Sequence, residues 1–270
     1  GMVGEKGEGL YVEKKEGGCE HGGYEFRIFD LPGTYSLTAY SLDEVVARDF
    51  IIDDKPDVVV DVIDSTNIER NLYLCLQFQE LNVPIVLALN VSDEASARGI
   101  LIDEKKLSEI MRVSAVKTVG TKGDGVPLLL DEVIRVFESK KIPYPVHYGE
   151  LEPHIETIAG EIAKDRQFTC RYPARWCAIK LLEKDFRADE VLGSHTAAVP
   201  IRALVQDHIR QIEEHFGRDA AVVVAEQRYG YIHGATTEAV NRRPVIQESY
   251  TEAADKVLLN RGWGLPIFLF

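Results

Sequence analysis

Cysteine is scarce in this sequence, positive charge is in deficit, and no apolar run comes near the roughly 20 residues that a membrane helix needs. The four cysteines, Cys19, Cys75, Cys170 and Cys177, form no C-x-x-C pair, so neither a zinc-ribbon site nor a disulfide framework is indicated. They read as reduced, mostly buried thiols of a cytoplasmic chain. Lys and Arg number 31 against 44 Asp and Glu, a net charge of −13. Such a surface repels polyanions, so nucleic acid is not an expected partner. Internal repeats and low-complexity tracts are missing too, and the Gly-, Glu- and Lys-rich first twenty residues do not read as a secretory signal. No Ser/His/Asp arrangement stands out. Cys19-Glu20-His21 reads as part of a turn rather than a metal site, and Arg48-Asp49 as an exposed pair worth little.

What is present is enough apolar residue, 45 % of 270, for two cores. Residues 10–15 and 24–29 fit a hairpin turned through Gly17-Gly18 and Gly22-Gly23. Amphipathic spacing predicts a helix over 41–52, closed by Lys55-Pro56. A β-branched run at 57–63 reads as a buried parallel strand, followed by a helix over 68–81 and a second buried strand over 83–89. A short helix at 107–111, a weaker strand at 113–118 and a helix over 126–138 continue the alternation, which is that of an α/β fold. The prolines of Lys140-Lys141-Ile142-Pro143-Tyr144-Pro145 mark a domain boundary. From 150 to 260 helical periodicity runs without visible strands, predicting a small all-helical domain with Trp176, Cys177 and Ala178–Leu182 in its core.

Three clusters could carry chemistry. Asp30-Leu31-Pro32-Gly33 follows a strand: the carboxylate can reach Mg²⁺, the glycine amide a terminal phosphate, and the same residues would also serve as a plain turn. Asn90-Val91-Ser92-Asp93 follows the next buried strand, where an Asp can accept the N1–H and 2-amino hydrogens of guanine while the Asn ties the loop together. Adenine would leave that carboxylate unpaired. Thr118-Val119-Gly120-Thr121-Lys122-Gly123-Asp124-Gly125 is built of small residues that let backbone amides approach a base, or simply connect strand to helix.

Together these residues resemble the cytosolic GTP-binding region of the ferrous iron transport protein B (FeoB) family. The likeness extends through Val12-Glu13-Lys14-Lys15-Glu16-Gly17, Asp30 to Leu37, Ala47-Arg48-Asp49, Lys55-Pro56-Asp57, Asp64 to Leu74, Ala178 to Leu182, Arg228-Tyr229-Gly230 and residues 257–268. It implies a Ras-like (P-loop GTPase type) α/β G domain over 1–144 with a mostly parallel sheet. A smaller all-helical spacer would fill 145–260, and 261–270 would begin the connection to a first membrane helix, at the cytoplasmic face of the cell membrane. By the same resemblance GTP or GDP is the ligand and Mg²⁺ its ion. Asp30 would then serve the metal, Gly33 the γ-phosphate, Asn90 and Asp93 the guanine, and Val119, Gly120 and Thr121 the base-side loop. The transporter's membrane domain would be a partner, and a homo-oligomer is compatible with this reading.

Two departures qualify this. The phosphate-cradling motif G-x-x-x-x-G-K-[S/T] occurs nowhere in the 270 residues. Tyr11 stands where the family places a Thr that ligates Mg²⁺. GTPase activity of this chain is therefore open, and the sheet is expected to lack its first strand. Strands 24–29 and 57–63 would then pair directly, or another chain would fill the gap. The reading is a guanine-nucleotide-binding regulatory region of an Fe²⁺ transporter; the alternative is a nucleotide-independent interaction or gating module of the same transporter.

Overall fold

A computed structural model describes residues 15–37, 41–140 and 144–243. Tyr11, the expected strand before Lys15, residues 141–143 of the expected boundary and the 257–270 stretch lie outside them.

The hairpin comprises β1 (Lys15–His21) and β2 (Tyr24–Asp30), antiparallel with His21 opposite Tyr24. Its turn is Gly22-Gly23, with φ of +57° and +83°, the left-handed pair that a two-residue hairpin loop requires. Gly17 and Gly18, expected to turn, instead lie within β1 opposite Ile28 and Arg27. Helix α1 (Leu42–Asp54) begins at a capping box in which Ser41 accepts from the Glu44 amide and Glu44 reaches back to the Ser41 amide. It stops where Lys55 turns left-handed, with Pro56 beyond. Arg48 is not an exposed residue as expected but only 4 % accessible, turned inward with Ala47, Ile51 and Ile52 toward Asp185, 3.8 Å away.

Then follow β3 (Val59–Asp64), α2 (Ile68–Glu80), β4 (Ile85–Asn90), α3 (Ser92–Ala97), β5 (Ile100–Ile102), α4 (Glu104–Met111), β6 (Ser114–Lys117) and α5 (Val126–Ser139). Strands β3, β4 and β6 form a parallel sheet with β4 central. Ile85 to Leu89 are all buried, which is why that strand reads as a continuous apolar run rather than an alternating one.

Among the described residues the hairpin does not pair with β3, so the direct pairing considered from sequence is not what forms. A cavity of about 430 Å³ lies between the hairpin, the end of α1 and α5, lined by Tyr24, Phe26 and Phe29 of β2, Phe50 of α1, Val58 just before β3, and Val133, Ile134 and Phe137 of α5. Aromatic contacts set the spacing: Phe29 packs on Phe50 (centroids 5.3 Å) and Tyr24 meets Phe137 edge-on (6.1 Å). Val60 and Val62 of β3 stay 39 % and 60 % exposed, an uncovered β-branched face.

The remaining helices are α6 (Glu152–Ile162), α7 (Arg166–Thr169), α8 (Ala174–Leu182), α9 (Phe186–Leu192), α10 (Ala198–Phe216) and α11 (Ala220–Ala239). Trp176 to Leu182 are buried as expected. One expectation fails: this part is not purely helical. Strand β7 (Val240–Arg242) follows α11 and pairs antiparallel with β5, Ile100 opposite Arg242. Three residues, only one of them apolar, carry no period-2 pattern to read.

Helix α11 also docks on α2 through charge. Arg228, fully buried, donates Nε and Nη2 to the two Glu80 oxygens at 2.7 and 2.9 Å, and Nη1 to the Tyr73 hydroxyl at 3.1 Å and to Glu183. The Tyr148 hydroxyl also donates to Glu80, and the Lys180 ammonium sits 2.9 Å from Glu183. Two cations and two carboxylates balance, the condition under which buried charge is tolerated. No described helix is long and apolar enough to cross a membrane.

Candidate functional site

Strand β4 delivers Asn90 to the end of the parallel sheet, and Val91, left-handed at φ 56°, turns the chain at once into α3. Asn90 Oδ1 accepts from the Gly120 amide at 2.9 Å and from the Thr118 hydroxyl at 3.4 Å. Ser92 adds two bonds to the Thr118 carbonyl, from its amide (3.3 Å) and its hydroxyl (3.1 Å). The two loops expected to face a base are thus stitched together, and Asn90 has the tying role foreseen for it. Gly125 closes the second loop: its φ is +78°, and a Cβ there would stand 2.1 Å from the Lys117 carbonyl oxygen. Only glycine fits.

Asp93 lies on the first turn of α3 rather than in an open loop, exposed, with Oδ1 bonded to the Glu94 amide at 2.9 Å. Lys122 donates Nζ to its Oδ2 at 2.6 Å. The Lys122 ammonium, and after it the Glu94 amide, hold the Asp93 carboxyl below the usual carboxylate range. It is therefore an anion at neutral pH, able to accept two N–H donors once Lys122 moves aside. Sequence reading passed over Lys122; being the one cation among the small residues of 118–125 was the available clue.

Of the three base-side residues, two have their amides engaged: Val119 donates to the Asp124 carbonyl at 2.9 Å and Gly120 to Asn90. Among the described residues the Thr121 amide has no such partner.

Asp30 ends β2 and is exposed; Gly33 beyond it has open space where a side chain would stand. Leu37, fully buried, anchors this segment through its amide to Gln77 Oε1 of α2 at 2.5 Å, and Tyr35 lies under the Arg70 guanidinium at 3.9 Å. Gln77 was another residue that sequence reading missed; a glutamine on the apolar face of a helix is its trace. No hydrogen bond or ion pair among the described residues joins Asp30 or Gly33 to the Asn90 cluster. The candidate residues thus fall in two groups, one around Asn90 and one at Asp30–Gly33.

A free, exposed carboxylate at a strand end suits Mg²⁺, which keeps several waters and takes only one or two carboxylates alongside phosphate oxygens. Asp30 meets that requirement. Cys19 and His21 do not gather a metal set: His21 pairs with Asp131 at 2.6 Å, and among the described residues no three potential ligands converge.

Two family models match the chain, ferrous iron transport protein B over residues 7–133 and the FeoB cytosolic helical domain over 148–241. A Porphyromonas gingivalis Fe(2+) transport protein A/Fe(2+) transporter FeoB fusion protein is 38 % identical over 268 residues, covering 97 % of this chain and 32 % of that protein. The Methanocaldococcus jannaschii Fe(2+) transporter FeoB is 37 % identical over 261 residues, covering 97 % and 38 %. The chain thus spans about a third of the length of these curated relatives. Among solved structures, a GDP-bound point mutant of the S. thermophilus FeoB G-domain superposes with a TM-score of 0.78 at 32 % identity, covering 88 % of this chain and 89 % of that one. The cytosolic domain of the T. maritima FeoB iron transporter in its GMPPNP form gives 0.67 at 27 %, with 88 % of each chain covered.

Proposed function

Since the chain belongs to the FeoB family, as its G-domain joined to its cytosolic helical domain, we propose that it binds guanine nucleotide and serves as the cytosolic regulatory region of a ferrous-iron transporter. The observation that carries this is the pair of loops stitched by Asn90 to the Gly120 amide, with the Asp93 carboxylate of the first loop against Lys122 of the second. Asp93 would pair with the guanine N1–H and 2-amino group, displacing Lys122, and the Thr121 amide would face the base. Asp30 would hold Mg²⁺, which when bound neutralises phosphate charge, and Gly33 would offer its amide to a γ-phosphate. Both relatives solved with GDP or GMPPNP support the ligand class. The chain would divide near residues 144–145 into G domain and helical spacer, on the cytoplasmic side of the membrane domain it accompanies.

The base-side half is the part of the site that these 270 residues, which do not include G-x-x-x-x-G-K-[S/T], put forward for test, and hydrolysis is not part of the proposal. The Lys122–Asp93 ion pair, which occupies the carboxylate that a base would use, favours a second reading, a nucleotide-independent interaction or gating module. Titration calorimetry with GDP and with ADP separates them. Micromolar GDP binding that ADP does not match, and that Asp93→Ala removes, supports the first; no heat with about 1 mM GDP establishes the second.

A further inference from the structure

Helices α6 and α10 carry His154 and His208 to a common seam, where the two Nδ1 atoms stand 2.7 Å apart. The rings are perpendicular, at 88° with centroids 5.0 Å apart, and both residues are half-buried. Ile155 and Ile158 on α6, and Val205 and Ile209 on α10, are buried, so the helix seam that carries the two rings is itself packed. One hydrogen at most can lie between the two nitrogens, and two protonated rings would set N–H against N–H.

We propose that His154 and His208 form a two-imidazole clip for a divalent first-row transition-metal ion, with water completing the coordination shell. Two nitrogen ligands at about 2.1 Å stand roughly 3.0 Å apart at a right angle and roughly 3.4 Å apart at the tetrahedral angle, so the observed pair opens by about 0.3 to 0.7 Å while each ring tilts to turn its Nδ1 lone pair from the other nitrogen toward the ion. The hydrogen between the rings moves to the outer Nε2 of its own ring, a tautomer change that releases no proton and leaves both Nδ1 lone pairs for the metal. Imidazole selects first-row ions of the Co²⁺, Ni²⁺, Cu²⁺ and Zn²⁺ kind over Mg²⁺ or Ca²⁺. Among the described residues no third protein ligand joins the pair, so the site is open on its solvent side. His215, about two turns further along α10 and bonded to Glu150 at 3.0 Å, lies outside the clip.

Cobalt(II) is the probe, added to the full chain and followed by calorimetry and by its visible absorption. One site with a dissociation constant in the range of about 1–100 µM is expected. His154→Gln and His208→Gln should each weaken it more than about tenfold, and His215→Gln should leave it unchanged. A readout that needs no variant guards against misfolding: bound Co²⁺ should broaden the ring-proton resonances of His154 and His208 in the unaltered protein before those of His215 or His233. Absence of a saturable site up to about 1 mM Co²⁺, survival of binding in both Gln variants, or first broadening at another histidine would each overturn the proposal.

Discussion

Asp61 sits in the middle of β3, facing inward with Ile63, 7 % accessible, and its Oδ2 has no hydrogen-bond partner among the described residues. Burial raises its pKa from 3.8 to about 7, and the nearby Cys75 thiol is raised too, by its own burial and then by Asp61. In the unfolded chain the carboxyl ionises near its ordinary value, so as pH climbs the unfolded state releases its proton first. The contribution of Asp61 to folding stability is therefore greatest below about pH 4, falls between about pH 4 and 7, and is flat above. Three pKa units at about 1.4 kcal/mol each set the fall at up to ~4 kcal/mol, an upper figure because water can reach a strained carboxylate. Asp61→Asn keeps the shape and removes the titration. Urea unfolding at pH 4.5 and pH 8 should show the unaltered protein losing stability with pH relative to the variant, by at least about 1 kcal/mol. Asp165 and Glu183, both depressed to about 2, act with the opposite sign, but their contribution is lost only below about pH 4 and cancels in the comparison. Parallel pH curves for the two proteins would refute the assignment of a neutral, unpaired Asp61, as would a variant more sensitive to alkali than its parent.

Arg228→Met leaves Glu80 buried without its partner and should cost about 3–5 kcal/mol in denaturant unfolding. Adding Glu80→Gln should recover part of that loss, and a double variant worse than the single would show that the pair is not the source. Lys122→Ala frees the Asp93 carboxylate that a base would otherwise have to uncover. GDP should then bind about two- to fivefold tighter by calorimetry, the scale of an exposed ion pair, and weaker binding would mean that Lys122 contacts the ligand instead.

The elements with a long period were legible from sequence. Residues 41–52, 68–81 and 126–138 show helical spacing in their apolar positions, and they appear as α1, α2 and α5 within a few residues, although α2 is buried on every side from Leu74 to Glu80 and α5 is at most half-buried. Strand β4 was legible for the opposite reason, being buried on both sides. Illegible were the features set by contact across the chain. The inward turn of Arg48 depends on Asp185, 137 positions away, and nothing local distinguishes it from a surface arginine. Glycine content marked the hairpin but not which pair turns, since that is decided by where φ must be positive. In the candidate site, the chemistry of Asn90 suggested that it would tie loops together, as its bond to the Gly120 amide does, whereas the Lys122 contact depends on two loops meeting across 29 positions.

The same non-local pairing changes how the two parts of the chain relate. From Asp93 the chain runs through α3 to Gly99, whose carbonyl accepts from the Arg243 amide at 2.8 Å, and on through β5, paired with β7. Asp103 then donates its amide to the Ala239 carbonyl at 2.8 Å while its side chain caps α4 through the Lys106 amide at 3.0 Å. Asp93, the carboxylate proposed to read the base, is therefore ten positions from a helix start bonded to the end of α11. On the far side of α11, Arg228 ties the same helix to α2, whose Gln77 anchors Leu37 below the Asp30–Gly33 segment. Each half of the site is thus braced against one helix of the spacer, by a short strand at one end and a buried ion pair at the other. Breaking the ion pair tests one brace and shortening β7 the other. Because the braces share no side chain, their effects on stability should add.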